Sequence, residues 1–383
     1  MSIADRGRVP PFHAMRVLQA AHARRAAGLP AYVLAAGQPG TPAPAPVLAA
    51  AHRALDADQL GYTSQVGIPA LREAIAHHYR RWYRLSVSRD DVVATTGSSG
   101  GFLLAFLAAF DPGDLVVLAR PGYPAYRNML TSLDCRVLEL PCGPDTRFQP
   151  TVAALDALSE LPAGVVVASP ANPTGTMLTP DELAGIARWC DANGVRLISD
   201  EIYHGITYRG APSCAWSTSH NAIVVNSFSK YFCMTGWRLG WLLVPDELLD
   251  SVDRLASNFA LCPPTLAQHA AVYAFDAYAE MDANVARYRA NRDLLLRRLP
   301  AIGLSRLAPA DGAFYVYADV SPWTSDSLAW GARLLDETGV AVTPGVDFDP
   351  VDGGRFIRMS FAGDTAEIAE AVDVLGEWLA KQG

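Results

Sequence analysis

The chain has 383 residues, of which 50% are hydrophobic, 18% charged and 9% aromatic, so it can bury a large core and is not a disordered polymer. Lys plus Arg total 31 against 39 Asp plus Glu, a net charge of −8, which argues against nucleic acid as a partner. The longest apolar stretch, Gly101 to Phe110, ends at Asp111; it is about half the length of a bilayer span and reads as a core helix, with no membrane partner implied.

The length suggests two domains. The first thirty residues carry Arg6, Arg8, Arg16, Arg24 and Arg25 against Asp5 but no apolar segment, so no targeting peptide is expected. Phe12, Met15, Leu18 and Ala21 recur at helical spacing and stop before Gly28, which predicts a helix over 12–27. The alternating prolines of Gly37 to Pro46 predict an extended connector and a first boundary.

From about residue 90 to 245, β-branched runs at Val92–Thr95, Leu115–Leu118, Val137–Leu140, Val165–Ala168, Arg196–Ile198, Ile223–Val225 and Leu242–Val244 alternate with helical stretches. That is an α/β pattern with mostly parallel strands buried on both faces. One intervening helix is well marked: Thr179 as N-cap, Pro180 next, Glu182 closing a capping box and Gly194 past the end. Beyond residue 280 an arginine-rich helix precedes strands at Ala313–Tyr317 and Phe356–Ser360, a smaller α+β domain. The expected division is 1–45 for an N-terminal arm and part of the small domain, 46–280 for the large domain and 281–383 for the small C-terminal domain. Six scattered cysteines without a CxxC pair give neither a zinc site nor a disulfide framework, and reduced cytoplasmic thiols are the default expectation.

Ligands of open parallel sheets lie outside the carboxyl ends of the strands. Here those ends lead into Gly97-Ser98-Ser99-Gly100-Gly101, Ser169-Pro170-Ala171-Asn172-Pro173-Thr174-Gly175, Ser199-Asp200-Glu201-Ile202-Tyr203 and Asn226-Ser227-Phe228-Ser229-Lys230. A glycine-rich helix start with two hydroxyls suits a phosphate, although a plain turn capped by Ser98 has the same letters. Neither GxGxxG nor GxxxxGK[ST] occurs. Only two lysines are present, Lys230 and Lys381, so chemistry that needs a neutralisable amine falls to the interior Lys230. Arg238, eight residues on, favours that amine in its neutral, nucleophilic form.

The segments "SPANPTG", "SDEIY" and "SFSKYFCMTGWRLG", with "YTSQVGIPALREAIA" upstream and "RMSFA" near the end, resemble the class I and II aminotransferases of the fold-type-I pyridoxal-phosphate enzymes, across nearly the whole chain. The resemblance implies a large domain with a seven-stranded, mostly parallel sheet plus a smaller α+β domain, and transfer of an amino group from an L-amino acid to a 2-oxo acid, with 2-oxoglutarate the expected acceptor. Pyridoxal 5′-phosphate is the implied cofactor, joined to Lys230 as a Schiff base. Asp200 would face the pyridine nitrogen, Asn172 and Tyr203 the ring oxygen, and Tyr123 would stack on the ring. Ser98, Ser99, Ser227 and Arg238 would hold the phosphate, with Tyr62 reaching it from the other subunit of a homodimer. Arg358 would pair with the substrate carboxylate, assisted by the backbone at Gly37 and by Asn172.

Bland alternatives stand beside these roles: Tyr123 and Tyr203 as core aromatics, Asp200 as a helix cap, Arg358 as a surface charge. His204 and the His77-His78 pair read as structural, since Lys230 already supplies the proton carrier. Cys233 departs from the small residues usual in the family. Neither Val9–His13 nor the Gly97 loop offers a cation for a second carboxylate, which leaves a dicarboxylic donor without an evident partner. A lyase or synthase on the same scaffold is the alternative reading. A cofactor-sensing regulator would need a DNA-binding domain that the residues ahead of the fold and the negative charge do not suggest.

Overall fold

The computed structural model describes residues 3–57 and 60–382. In chain order its first half contains α1 (His13–Ala26), β1 (Tyr32–Val33), α2 (Ala45–Asp56), α3 (Pro69–Tyr83), β2 (Val92–Thr95), α4 (Gly97–Ala109), β3 (Leu115–Arg120), α5 (Pro124–Ser132), β4 (Arg136–Pro141), α6 (Val152–Asp156), β5 (Gly164–Ala168) and α7 (Pro180–Asn193). Then come β6 (Arg196–Asp200), β7 (Ile223–Ser227), β8 (Gly240–Leu243), α8 (Asp246–Phe259), α9 (Thr265–Ala271), α10 (Tyr278–Ala301), β9 (Tyr315–Asp319), α11 (Ser327–Thr338), β10 (Val340–Ala341), β11 (Thr343–Pro344), β12 (Phe356–Ser360) and α12 (Thr365–Ala380).

Seven strands form the central sheet in the order β2-β8-β7-β6-β5-β3-β4. All run parallel except β8, which is antiparallel to both neighbours. Alternate side chains of each strand enter opposite cores. Val93, Val116, Val166, Ile198, Val225 and Leu242 meet Phe102 and Phe106 of α4, whereas Val92, Val117, Val165, Leu197, Val224 and Leu243 join the core that holds Leu183 and Ile186 of α7. Burial on both faces explains the near-continuous apolar runs. The edge strand β4 is the exception, with Arg136 and Pro141 exposed, as befits an unpaired edge.

The expected capping box of α7 is present: Glu182 N donates to Thr179 Oγ1 at 3.2 Å and Thr179 N to Glu182 Oε2 at 2.7 Å, and Gly194 closes the helix in the left-handed region at φ 66°. Two boundaries differ from expectation. α2 begins inside the proline-rich stretch, because Pro46 falls in the first turn, where a missing N–H costs nothing. The strand expected from Ala313 begins at Tyr315, because Ala313 sits at φ 55° and cannot continue a ladder.

A second sheet, β11-β12-β9, is antiparallel and pairs Arg358 with Thr343 on one side and Tyr317 on the other. The N-terminal arm joins the C-terminal part of the chain: β1 pairs in parallel with β10, Tyr32 opposite Val340. All six cysteines are free. Among the described residues no helix is long and apolar enough to cross a membrane, and no cluster of three metal-ligating side chains occurs.

Candidate active site

The carboxyl ends of β2, β5, β6 and β7 open into a cavity of about 460 Å³. The reversed β8 starts at this rim, which brings Arg238 and Thr235, just ahead of it, to the same opening. α1, the Ala35–Gln38 turn, Tyr315 and Arg358 close the other side. Asp200, Lys230, Arg238 and Arg358 are the charged side chains of its lining.

Lys230 Nζ donates to the Gly37 carbonyl at 2.6 Å and lies 5.6 Å from the centre of the Tyr203 ring. Burial, with Arg358 and Arg238 adding repulsion, lowers its pKa to about 8, only partly opposed by Asp200. About a tenth of the amine is therefore neutral at pH 7, several hundredfold more than at the ordinary lysine value. Gly37 is glycine for a reason of space: a Cβ there would come within 2.5 Å of the Tyr315 hydroxyl.

Asp200, the last residue of β6, accepts from the Tyr126 hydroxyl and from Ile202 N at 3.1 Å. It thus turns the following loop, as a cap would, and also lines the cavity. Burial raises its pKa to about 6, against the pull of Tyr126, Ile202 and Lys230. The Tyr203 hydroxyl bonds that of Tyr315 at 2.6 Å. Tyr123 lines the cavity edge-on to Tyr126, ring centres 5.3 Å apart.

Arg358 is 3% exposed, so it is no surface charge. Its Nη1 donates to Asn172 Oδ1 at 2.8 Å, and its Nη2 to Ala35 O at 2.9 Å and Thr343 Oγ1 at 3.1 Å. The guanidinium lies 4.4 Å from the Tyr315 ring centre and 4.8 Å from that of Phe348. Its Nε is buried without a partner, an orphaned donor of the kind a bound carboxylate satisfies.

At the other end of the cavity, Ser98 and Ser99 lie in the first turn of α4. No side chain caps this helix: its N-cap, Thr96, makes no side-chain bond to the first turn, and the neighbouring Thr95 Oγ1 donates to Gly97 O at 2.9 Å. Its first N–H groups and dipole are left for an anion, with Ser229 and Arg238 beside them. An anion-binding end, a buried carboxylate, a depressed lysine and aromatic walls together fit pyridoxal phosphate.

Ser227 stands behind this wall: its hydroxyl bonds Ser229 Oγ at 2.9 Å and accepts from Ser229 N at 3.0 Å. Tyr62 is 85% exposed and outside the cavity of its own chain. Ser229, Tyr126 and Tyr315 are site residues that the motifs left without roles. Ser229 sits beside the lysine and was readable; the other two reach the site only through tertiary contact. His204 and His78 are buried and neutral, with pKa values pushed down to about 3 by burial. His204 donates from Nε2 to Ser169 O at 3.0 Å and accepts at Nδ1 from the Tyr83 hydroxyl at 2.6 Å. Cys233 holds φ 56° with its sulfur 3.3 Å from Thr41 Oγ1.

The aminotransferase class I and II profile matches residues 31–375. The chain is 60% identical to the valine–pyruvate aminotransferase of Mycobacterium tuberculosis over 384 residues, 99% of both chains. It is 35% identical to the aspartate/prephenate aminotransferase of Thermus thermophilus, over 91% of each. A crystal structure of an aminotransferase from Mycobacterium tuberculosis superposes with a TM-score of 0.98 at 59% identity over the whole of both chains. The Thermus thermophilus aspartate aminotransferase with maleate gives 0.92 at 32%, covering 98% of this chain and 99% of that one. The chain belongs to the class I and II aminotransferases, and it is a pyridoxal-phosphate-dependent transaminase of fold type I.

Proposed function

We propose that the donor is an L-amino acid with a compact apolar side chain, of valine's kind, and that the acceptor is a small 2-oxo acid of pyruvate's kind. The observation that carries this reading is the apolar surface of the α1 region: Phe12, Ala14, Met15 and Leu18 line the cavity, and among the described residues of one chain the lining has no cation beyond Lys230, Arg238 and Arg358. The second carboxylate of aspartate or of 2-oxoglutarate would be desolvated against that surface without a partner from the same chain, which is costly. The name of the 60% identical relative supports the same choice.

The residue roles follow from chemistry. When bound, the cofactor supplies an electron sink for the charge left on the substrate Cα. Lys230 anchors it and, once freed, carries the Cα proton on Nζ, a task suited to an amine that titrates near 8. Asp200 keeps a proton on the ring nitrogen by presenting a buried negative charge. Asn172 and Tyr203 bond the ring oxygen, and Tyr123 covers the ring face. Ser98, Ser99, Ser227 and Arg238 form the phosphate end, with Ser227 acting through Ser229. Arg358 grips the α-carboxylate by its fork, and exclusion of water by α1 strengthens that pair.

The assembly we propose is a cytoplasmic homodimer in which Tyr62 enters the neighbour's site. Support comes from an exposed patch: Thr265 Oγ1 donates to Gly61 O at 2.7 Å, gathering Tyr62 with Leu261 and Phe259, which are 57% and 63% exposed. The functional reading is tested by a half-reaction series. Each amino acid is mixed alone with the holoenzyme, and loss of the visible cofactor band is timed. Valine and its neighbours in size should convert fastest and pyruvate should restore the band faster than 2-oxoglutarate. Fastest conversion by aspartate or glutamate would overturn it.

A further inference from the structure

We propose that Asp347 is a positioning residue that sets donor side-chain selectivity by fixing the start of α1, the helix that walls the side-chain end of the cavity; this rests on the reading that α1 faces the donor's side chain. The first turn of α1 contains no acidic residue, and its N-cap, Phe12, has no side-chain acceptor. The cap comes instead from 333 residues further along the chain. Asp347 Oδ1 accepts from His13 N at 2.9 Å and Oδ2 from Ala14 N at 2.7 Å. Both carboxylate oxygens are used on the helix, and Asp347 is buried.

The other firm holds on this helix are at its far end, where Arg24 donates to Pro30 O and Asp336 O and Arg25 to Ala31 O and Glu367, and in a small cluster of Ala21 and Val17 with Ala35, Leu335 and Ala341. Its buried residues are two alanines, Ala14 and Ala21. Behind it, between α1 and α11, lies a second cavity of about 500 Å³ bordered by Val17, Ala20, Leu328 and Leu335. A helix with space at its back and small buried side chains is located by its ends rather than by packing. Phe12, Met15 and Leu18, spaced by three, turn toward the active site.

The turn that carries Asp347 also touches the substrate's other end. Phe348 lies against the Arg358 guanidinium. Gly345, at the start of this turn, is pressed so closely on the backbone that a Cβ would come within 2.5 Å of Gly353 O and 2.6 Å of Phe356 O. The Gly345–Phe348 turn is therefore a stiff strut between the carboxylate-binding arginine and the side-chain wall. It fixes the span that a donor must fill from its carboxylate to the tip of its side chain.

Asp347→Ala and the milder Asp347→Asn are compared with wild type in three measurements: kcat and KM for valine and alanine, cofactor affinity from the visible band, and hydrogen exchange of residues 12–18. For Asp347→Ala the valine-to-alanine ratio of kcat/KM should fall about tenfold, the scale of one misfitted side chain, mainly through the KM for valine. The kcat for alanine and the cofactor affinity should stay within about twofold, below the cost of a lost site contact. The His13 and Ala14 amides should lose protection. Asp347→Asn, which keeps one acceptor, should fall between the two, and Asp347→Ala placed on Met15→Ala should lower the ratio no further, because both act on one wall. An unchanged ratio with lost protection, or an equal loss for every donor, would overturn the proposal. Should wild type prefer a polar donor, the apolar reading fails, and the ratio of that preferred donor to alanine still tests Asp347.

Discussion

Lys230 Nζ donates to the carbonyl of Gly37, 193 residues earlier, so the N-terminal arm supplies the acceptor that holds the reactive amine in place. Gly37→Ala would drive a methyl into the Tyr315 hydroxyl and disturb the Tyr203–Tyr315 bond along with the lysine's acceptor. Such overpacking costs about 1–3 kcal/mol, and the expected result is weaker cofactor retention on dialysis with the fold kept by circular dichroism. Unchanged retention would show that the arm is not needed to hold the lysine.

Lys230→Ala should abolish turnover and the lysine-bound visible band, because the other lysine, Lys381, is exposed at the far end of the chain. Borohydride reduction followed by peptide mapping checks this directly: the cofactor should be found on Lys230 in wild type and nowhere in the variant.

The amine reacts in its neutral form, and burial has moved its pKa down to about 8 from 10.5. Reattachment of cofactor to stripped protein should therefore accelerate by about tenfold per pH unit below that value and level off above it. A rate still climbing at pH 10 would place the lysine at its ordinary pKa and refute the role of burial.

Asp200→Ala removes the carboxylate that faces the cavity but leaves the phosphate end intact. Cofactor should still bind, while removal of the Cα proton, followed in single-turnover spectra with deuterated donor, slows by orders of magnitude. Near wild-type rates in that variant would show that the ring nitrogen needs no buried charge.

Arg358→Lys keeps the charge but loses the planar fork that now spans Asn172, Ala35 and Thr343. The loss should be about 2–3 kcal/mol, roughly a hundredfold in kcat/KM, for all α-amino acids alike. A loss confined to one class of side chain would make Arg358 a side-chain selector instead.

Mixing Tyr62→Ala with Lys230→Ala under subunit exchange tests the shared site. A heterodimer would carry both lesions in one site and neither in the other, so activity should return toward a fraction of wild type. A fully active monomer, or proven heterodimers without activity, would sink the shared-site proposal.

The sheet was legible because its strands are short apolar runs alternating with helices, one of them, α7, marked by a capping box, and the residues at their carboxyl ends are where chemistry collects. Asp200 and Lys230 could be read in that way. Tyr126 could not, since its bond to Asp200 joins α5 to β6 across 74 residues and leaves no local pattern. Tyr315 was hidden for a similar reason: its ring reads as a core aromatic in β9, and only the fold brings its hydroxyl to Tyr203. Ser227 and Ser229 share one motif, and the turn after β7 decides which hydroxyl reaches the cavity.

The pairing of β1 with β10 means that Tyr32 waits for Val340. During synthesis the arm leaves the ribosome roughly three hundred residues before its partner strand, and at about 5–20 residues per second that delay lasts tens of seconds. The sheet from β2 to β8 can collapse in that interval and already offers Lys230 to Gly37, whereas Ala35 lacks Thr343 and Arg358, and the start of α1 lacks Asp347, until the last fifth of the chain arrives. Loop closure over such a span is entropically slow. The phosphate end, Asp200 and Lys230 are therefore made well before Tyr315 and Arg358, and a chain stalled ahead of them would carry the lysine in a cavity without those two walls.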